Sequence, residues 1–177
     1  MYLTLRKKMA SLYYAPLETS LGWVGVLSSD QGIRKLVLPL QSPQAAVEGL
    51  QPEARDAELA PDRFQELRSR VEALFSGKYA ALDDQPLDLE DASPFFRRAW
   101  QACRAIPRGE TRSYAWLAAQ AGSPRAMRAA GQAMARNPVA LIIPCHRVIG
   151  SDGGLHGYGG GLDLKQRLLD VERILST

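Results

Sequence analysis

Hydrophobic and polar positions follow two different periods along the chain. Up to about residue 40, the apolar positions form short runs rich in aromatic and β-branched residues, which is typical of strands. Ser29 to Gly32 supplies a hairpin-turn signal between the second and third runs. The pattern predicts a small antiparallel sheet with strands over residues 12–15, 22–27 and 33–38.

Helical spacing replaces these short runs after the third strand. Ser42 and Pro43 suit the N-cap and first position of a short helix that extends to about Leu50, and the polar residues 51–60 predict a loop. A longer helix is predicted over residues 61–75, because its apolar residues share one face. They are Phe64, Leu67, Val71, Leu74 and Phe75.

The acidic segment 81–91 divides the chain into two regions. It contains Pro86 and lacks helical periodicity, so it predicts a linker. The region after it is rich in helical patterns, whereas the region before it combines strands and helices. We therefore predict an α+β fold in two domains, which comprise residues 1–91 and residues 92–177.

Two short helices in the second region predict a helix-turn-helix. The first, residues 114–120, is N-capped by Ser113, and the second, residues 125–136, begins after Ser123-Pro124. A helix over residues 93–106 precedes them. An amphipathic helix that begins at Leu162 follows them, with inward positions at Leu164, Leu168, Val171 and Leu175.

Composition and targeting signals restrict the class of protein. No apolar run is long enough to span a bilayer, and no apolar segment follows the basic residues 6–8 as it would in a signal peptide. Two cysteines in 177 residues do not form a disulfide framework. We expect a cytoplasmic protein with access to nucleoid or nuclear DNA, no membrane partner and free thiols.

Charge is distributed unevenly between the two regions. Residues 1–91 carry 10 Lys/Arg and 14 Asp/Glu, whereas residues 92–177 carry 12 Lys/Arg and 5 Asp/Glu. Arginine, which binds phosphate in a bidentate manner, supplies all but one of the basic residues of the second region. The asymmetry favours a polyanion such as DNA as the partner of that region, although a merely basic surface would also account for it.

The second helix of the helix-turn-helix combines small residues with positive charge. Alanine and glycine dominate it, and it has no acidic residue. Small side chains allow a close approach to another surface, and arginines can contact phosphates or bases. A helix packed internally through its small residues is the alternative, but that alternative does not explain its three arginines, Arg125, Arg128 and Arg136.

Candidate chemistry is concentrated near the middle of the second region. Cys145 and His146 are adjacent and lie between apolar residues, as a nucleophile and its base would. The alternative is a buried structural cysteine beside a core histidine. The glycine-rich segment 150–161 lacks the Lys-Ser/Thr of a P-loop and is predicted to form a mobile pocket wall. Glu172 would either form a salt bridge or orient the imidazole.

These residues resemble a known family. The segment from Ile143 to Val148 is similar to the Pro-Cys-His-Arg-Val signature of the O6-alkylguanine-DNA alkyltransferases. The similarity extends over residues 92–175 and includes the helix-turn-helix, Asn137-Pro138, the loop at Tyr158 and Glu172. The resemblance implies an RNase H-like αβ domain followed by a mostly helical domain with a winged helix-turn-helix.

The resemblance also implies direct repair of DNA. The family transfers the alkyl group of O6-alkylguanine, and by extension of O4-alkylthymine, irreversibly to one cysteine, so that each molecule acts once without a cofactor. The implied catalytic residues are Cys145 as nucleophile, His146 as a base that acts through water, Glu172 as the partner of the imidazole, Asn137 as support of the cysteine turn, and Tyr114 as donor to the leaving guanine.

Binding roles follow from the same resemblance. A monomer would approach the minor groove of double-stranded DNA through its second helix and extrude the damaged base. Arg128 would fill the gap left by the base, and its neighbours on the DNA-facing side would be Arg125, Ala126, Ala129 and Gly131. The extruded base would be framed by Met134, Val148, Tyr158 and Gly159.

Two departures from the family pattern concern metal binding and the pocket. Residues 1–91 contain no Cys or His, so the zinc site of some family members is absent. A zinc site made of Cys103, Cys145, His146 and His156 would have no common ligand spacing, and we predict no metal. Gly159 stands where some relatives have serine, so a hydroxyl contact to O6 would be lost.

Two other classes of protein remain as alternatives. A Cys-His-Glu thiol hydrolase would turn over repeatedly and would not need a basic helix-turn-helix. A non-catalytic sensor of alkylated DNA would bind without chemistry, but such relatives usually replace the cysteine by tryptophan, and Cys145 is intact.

Overall fold

Three strands form an antiparallel meander at the start of the fold. They are β1 (Tyr13–Thr19), β2 (Gly22–Ser28) and β3 (Ile33–Leu40). Tyr13 pairs with Ser28, and Val26 pairs with Leu36. All three predicted strands are confirmed, and β1 and β3 extend beyond their predicted ends.

The computed structural model describes residues 11–78, 81–89 and 92–174. Predictions that fell on Asp91, at the end of the linker, and on Leu175, in the last helix, lie outside these residues.

A fourth strand lies in the segment predicted as a loop. β4 (Glu58–Leu59) pairs in parallel with β1, and the sheet order is β3-β2-β1-β4. The sheet is therefore mixed, whereas the sequence predicts only antiparallel pairing. β4 has two residues, both exposed, so no alternation of apolar and polar positions marks it.

Each face of the sheet carries a helix. Helix α1 (Pro43–Glu48) has the predicted N-cap, because the Ser42 hydroxyl accepts a hydrogen bond from the Ala45 N–H at 3.1 Å. The helix predicted from Pro61 is confirmed, with a 3-10 first turn (Pro61–Phe64) followed by α2 (Gln65–Phe75). The faces alternate with period two: Leu27 belongs to the small cluster under α1, while Val26 belongs to the main core with α2.

The second region contains four helices among its described residues. They are α3 (Pro94–Arg104), α4 (Tyr114–Gln120), α5 (Met127–Ala135) and α6 (Leu162–Ile174). The predicted cap is confirmed at Ser113, which accepts from the Trp116 N–H, and Ser93, where a helix is predicted to begin, also caps by accepting from the Phe96 N–H. The α+β class is confirmed.

The start of α5 differs from the prediction. The Ser123 side chain does not cap it; instead, the Ser123 carbonyl accepts a hydrogen bond from the Ala126 N–H at 2.8 Å and closes a turn. Pro124 occupies the second position of that turn, which proline favours. Arg125 and Ala126 therefore precede the helix and do not belong to it.

A short parallel pairing joins α4 to the cysteine segment. Strand β5 (Arg112–Ser113) pairs with β6 (Val148–Ile149), which directly follows a 3-10 turn (Cys145–Arg147). Because α4 begins immediately after β5, this pairing places Tyr114 beside the turn that carries Cys145.

The predicted linker is attached to the sheet. The Ile33 N–H donates to the Pro86 carbonyl at 2.8 Å, and the Asp88 N–H donates to the Ile33 carbonyl at 3.0 Å. Asp88 is buried and accepts from Ser29 and Arg34. The division into two domains at residue 91 stays a prediction.

One core unites the two regions. Leu36 of β3 is buried, and its N–H donates to the Pro138 carbonyl at 2.7 Å. Buried residues on both sides of the linker form a continuous cluster, from Val24 in the sheet to Ile143 beside the cysteine. The sheet therefore supports the segment in which the candidate chemistry lies.

Replacement of Gly25 by alanine tests the packing of α1 on the sheet. A Cβ at Gly25 would lie 2.4 Å from the Ala46 carbonyl oxygen, and backbone atoms cannot yield without moving the helix. We expect Gly25→Ala to lower the free energy of unfolding by about 1–3 kcal/mol in urea denaturation.

The matched control is Gly131→Ala in α5. Apart from the nearby backbone of its own helix, no atom of the described residues lies within 4 Å of a Cβ there, so this variant should gain ~0.5–1 kcal/mol from helix propensity. Equal effects of the two changes would contradict the packing argument.

Candidate active site

Cys145 begins a buried 3-10 turn at the end of an apolar loop. Its residue exposure is 8%, and the residues before it, from Val139 to Ile143, are buried as well. Leu141 in that loop has φ 73°, a left-handed conformation that a branched residue adopts only when its surroundings enforce it. The loop is therefore held in a strained shape that fixes the thiol.

Asn137 holds that loop through both ends of its amide. Its Nδ2 donates to the Ile143 carbonyl at 2.8 Å, and its Oδ1 accepts from the Val139 N–H at 3.0 Å. These bonds are compatible with the support of the cysteine turn that the family resemblance implies for Asn137. Two bonds across six residues leave the position of Cys145 little freedom.

His146 and Glu172 form a buried pair behind the cysteine. His146 Nε2 lies 2.9 Å from Glu172 Oε1, and both residues are almost fully buried. Burial lowers the pKa of His146 below its ordinary value, and the hydrogen bond with Glu172 only partly offsets that change. The imidazole is therefore neutral at pH 7 and donates its Nε2 proton to Glu172.

The other imidazole nitrogen is available as a base. In this tautomer Nδ1 carries a lone pair, and within the described part of the chain this buried atom has no hydrogen-bond partner. A neutral histidine with a free lone pair next to a cysteine can accept the thiol proton.

Arg147 completes the environment of Glu172. Its Nε and Nη2 donate to the two carboxylate oxygens at 2.8 Å each, and its Nη1 donates to the Ile106 carbonyl at 2.7 Å. Burial acts to raise the pKa of Glu172, but the hydrogen bonds from His146 and Arg147 outweigh it and lower the pKa to about 2. Glu172 is thus ionised at all physiological pH values.

Lys165 is a buried cation that the sequence analysis did not select. It is fully buried on α6, and its Nζ donates to the Val148 carbonyl at 2.8 Å and to the Leu155 carbonyl. Burial lowers its pKa, while the neighbouring Cys145 acts in the opposite direction. Lys165 and Glu172 are seven residues apart, which places both on the buried face of α6 together with Leu168. This helical spacing is the signal in the sequence that could have identified Lys165 as buried.

The cysteine is kept as a thiol in the resting site. Burial raises the pKa of Cys145, whereas hydrogen bonding with Asn137 and the charge of Lys165 offset part of the rise. Deprotonation therefore depends on a base, and the neighbouring neutral His146, whose Nδ1 has no hydrogen-bond partner among the described residues, is the candidate.

A cavity of about 380 Å³ opens over the cysteine. The structure brings together seven predicted site residues in its lining: Tyr114, Gly131, Met134, Asn137, Cys145, Tyr158 and Gly159. Its other lining residues are Leu38, Ala135, Ala140 and Gly157. The volume lies in the range of sites that enclose small organic groups.

Val148 is not among the described residues that line this cavity, and the role of its backbone in framing a base stays a prediction. Its side chain is fully buried, its N–H donates to the Cys145 carbonyl, and its carbonyl accepts from Lys165. Both backbone groups form hydrogen bonds within the protein, so Val148 supports the cysteine turn on its inner side.

Two tyrosines present hydroxyl groups near the thiol. Burial and the neighbouring Cys145 and Cys103 raise the pKa of Tyr114, so its hydroxyl stays protonated and can donate. Burial raises the pKa of Tyr158 well above its usual value, and its buried hydroxyl has no hydrogen-bond partner among the residues described.

Helix α5 has one inner and one outer face. Ala130, Ala133 and Met134 are buried, so internal packing accounts for part of its small residues. Arg128 is exposed, as is Arg125 in the preceding turn, while Ala126 and Ala129 are half-buried. Of the predicted DNA-facing residues, Gly131 therefore lines the cavity, whereas Arg125, Ala126, Arg128 and Ala129 are not among its lining residues.

Residues 11–78, 81–89 and 92–174 contain neither a metal-ligand cluster nor a membrane-spanning helix. No three His, Cys, Asp or Glu side chains in these ranges are grouped to hold a metal ion. Cys103 is buried in the core, and His156 lies 3.3 Å from Asp152 on the glycine-rich loop. No helix in these ranges has the length and apolar character needed to cross a bilayer.

The fold and the site define a helix-turn-helix protein with a buried thiol and a neutral histidine base. Residues 94–174 match the family model for the DNA-binding domain of 6-O-methylguanine DNA methyltransferase. A methylated-DNA–protein-cysteine methyltransferase from Methanosarcina barkeri is 39% identical over 164 residues, which cover 91% of this chain and 97% of the relative.

Two further similarities agree with this match. The enzyme of the same name from Mycolicibacterium paratuberculosis is 50% identical over 113 residues, which cover 64% of this chain and 67% of the relative. The crystal structure of Mycobacterium tuberculosis OGT in complex with DNA is 35% identical with a TM-score of 0.77, covering 92% of this chain and 93% of that one. The chain belongs to the methylated-DNA–protein-cysteine methyltransferase family.

Replacement of Glu172 by glutamine tests the buried carboxylate. The pKa of Glu172 in the folded protein lies below its ordinary value of 4.5, so the ionised form stabilises the fold above pH 4.5, and this stabilisation is lost as the pH falls toward 2. We expect Glu172→Gln to cost about 3 kcal/mol at pH 7 and less at pH 3, as measured by urea denaturation at both pH values.

The control is Asp170→Asn, which changes an exposed carboxylate on the same helix. It should alter stability by less than ~0.5 kcal/mol at either pH. A cost for Glu172→Gln that does not depend on pH would contradict the ionised state of Glu172.

Proposed function

We propose that this chain repairs alkylated double-stranded DNA by moving the alkyl group from O6 of guanine to Cys145. The observation that carries the proposal is the thiol at the cavity, with a neutral His146 and an ionised Glu172 behind it. The family to which the chain belongs repairs methylated DNA through a cysteine, which supports the same reaction here.

The reaction begins with proton transfer from the thiol. His146 Nδ1 accepts the proton through a water molecule, and Glu172 stabilises the imidazolium that forms. The ether carbon is a poor electrophile, so the attacking group must be the thiolate. Lys165 stabilises the developing charge on sulfur from within the protein.

Transfer then exchanges one bond for another. The thiolate forms a bond to the alkyl carbon, the bond from that carbon to O6 breaks, and the electron pair stays on the guanine. Tyr114 donates a hydrogen bond or a proton to the leaving base, which lowers the barrier of this step. The thioether is not reversed, so one molecule repairs one lesion and no cofactor is consumed.

The pocket residues have separate roles in holding the base. Met134 supplies an apolar wall, while Tyr158 and Gly159 border the base from the glycine-rich loop. Gly131 allows the base to approach α5 closely, since the space beyond its Cα contains no protein atom within 4 Å of a Cβ. Asn137 keeps the cysteine turn in place during the reaction.

The outer surface of α5 is the proposed contact with the minor groove. Extrusion of a base costs a few kcal/mol. Arg128 offsets part of that cost when its guanidinium stacks in the gap. In this arrangement Arg125, Ala126 and Ala129 lie on the same side as Arg128 and approach the sugar–phosphate backbone of the DNA. The protein would act as a monomer in the compartment that holds the DNA.

The first test of this function is methyl transfer observed by intact mass. After incubation with duplex DNA containing O6-methylguanine, we expect a gain of one methyl group on the peptide with Cys145, with at most one equivalent repaired. Cys145→Ser should show no gain while it still binds the duplex.

Two outcomes would contradict direct repair. Repeated turnover on an ester or amide substrate would identify a thiol hydrolase. Binding of the damaged duplex without any change in mass would identify a sensor.

The second test concerns Arg128. A stacked side chain is worth ~1–3 kcal/mol per base, so Arg128→Ala should slow repair of duplex DNA about tenfold. Reaction with the free base O6-methylguanine should be unchanged, because no gap is formed. Rates can be measured by loss of the lesion and by mass, respectively.

The matched control is Arg173→Ala on α6, which removes the same charge from an exposed position. It should slow duplex repair far less than Arg128→Ala. Equal slowing by both variants would reduce the role of Arg128 to general attraction of phosphate.

A further inference from the structure

The cavity over Cys145 has a wall that comes from the other end of the chain. Among its lining residues, Leu38 alone belongs to the first region, and it lies on β3. The rest come from α4, α5, the cysteine loop and the glycine-rich loop. The sheet therefore contributes directly to the site as well as to the core.

Leu38 is packed against the glycine-rich loop. A Cβ at Gly159 would lie 3.8 Å from Leu38 Cδ1, and a Cβ at Gly160 would lie 3.0 Å from the same atom. On its other side, a Cβ at Gly160 would lie 2.5 Å from Leu164 Cδ2. The loop backbone thus lies between Leu38 and Leu164, and any side chain at residue 160 would have to displace one or both of these leucine side chains.

The strand holds Leu38 in place. Residues two apart on a strand project to the same face, so Leu38 shares the face of Leu36. Leu36 is buried and hydrogen-bonded to Pro138, close to the loop that carries Cys145. The backbone that carries Leu38 is therefore anchored, and its half-buried side chain packs against the main core at the edge of the cavity.

We propose that Leu38 is a specificity-determining residue that limits the size of the alkyl group transferred to Cys145. Leu38 lies next to Gly159, which the family resemblance places beside O6 of the guanine. Its side chain is apolar, as are the alkyl groups that the site must receive. The inference rests on the proposed function, since the alkyl group is defined by that reaction.

The size of the effect follows from how apolar pockets discriminate. One methylene group that does not fit changes the relative rate about 10- to 200-fold. Leu38→Ala removes three carbon atoms beside the loop and should favour bulky groups. Leu38→Phe adds bulk at the same point and should disfavour them.

The experiment compares two substrates in the same duplex, one with O6-methylguanine and one with O6-benzylguanine. The measured quantity is the ratio of the benzyl to the methyl second-order rate constant. We expect Leu38→Ala to raise this ratio at least about tenfold and Leu38→Phe to lower it by a similar factor. Leu38→Met, which conserves volume, should keep the wild-type ratio.

The matched control is Val37→Ala on the same strand. Val37 packs on the opposite face, against Leu27 and Leu50, so its truncation weakens the strand without touching the cavity. Its ratio should equal that of the wild type. Thermal unfolding of each variant shows that the rates come from folded protein.

A second readout separates this inference from the proposed function. Cys145 is labelled with iodoacetamide and with its N-benzyl derivative, and the two rates are compared by intact mass in wild type, Leu38→Ala and Leu38→Phe. If the wild-type chain transfers no methyl group from DNA, the proposed function fails, and this labelling ratio still tests the wall. Ratios that stay within about twofold in both Leu38 variants, or that change equally in Val37→Ala, would overturn the role of Leu38.

Discussion

The site depends on one buried carboxylate. Glu172 lies inside the protein, where an unpaired charge would be strongly destabilising. Arg147 compensates that charge with two hydrogen bonds and also reaches the end of α3 through the Ile106 carbonyl. The same carboxylate receives the proton of His146 Nε2. One side chain on α6 therefore ties that helix to the cysteine turn and determines the tautomer of the base, while Arg147 extends the connection to the segment after α3.

The polar groups around the thiol have separate effects on its position and its protonation. Asn137 fixes the turn, His146 offers a lone pair, and Lys165 places a positive charge on the inner side of Cys145. Burial has the largest effect on the pKa values of Cys145 and His146, so the resting cysteine stays protonated and the resting histidine stays neutral. Cys145 and His146 are therefore both uncharged until a substrate binds, and this limits the charge that loses its contact with water when the substrate enters.

Local patterns predicted most of the elements, because caps and turns depend on near neighbours. Ser42 and Ser113 are N-caps as expected, a helix begins at Ser93-Pro94 as expected, and the cysteine motif identified the family. The start of α5 was misplaced because Ser123-Pro124 suits both a cap and a turn.

The remaining features depend on contacts between distant segments. Leu38 resembles any half-buried strand residue until the sheet is placed against the glycine-rich loop. Lys165 looks like a surface lysine unless the buried face of α6 is known. The catalytic roles implied by the family resemblance stay predictions, and so does the domain boundary at residue 91.

Burial of Cys145 also has a consequence for the protein as a stored reagent. A molecule that acts once is wasted if its sulfur is oxidised before it meets a lesion. Oxidation proceeds through the exposed thiolate, and this residue is 8% exposed with a raised pKa. The burial that raises the pKa of the thiol therefore also protects each molecule from oxidation in the time between its synthesis and its use.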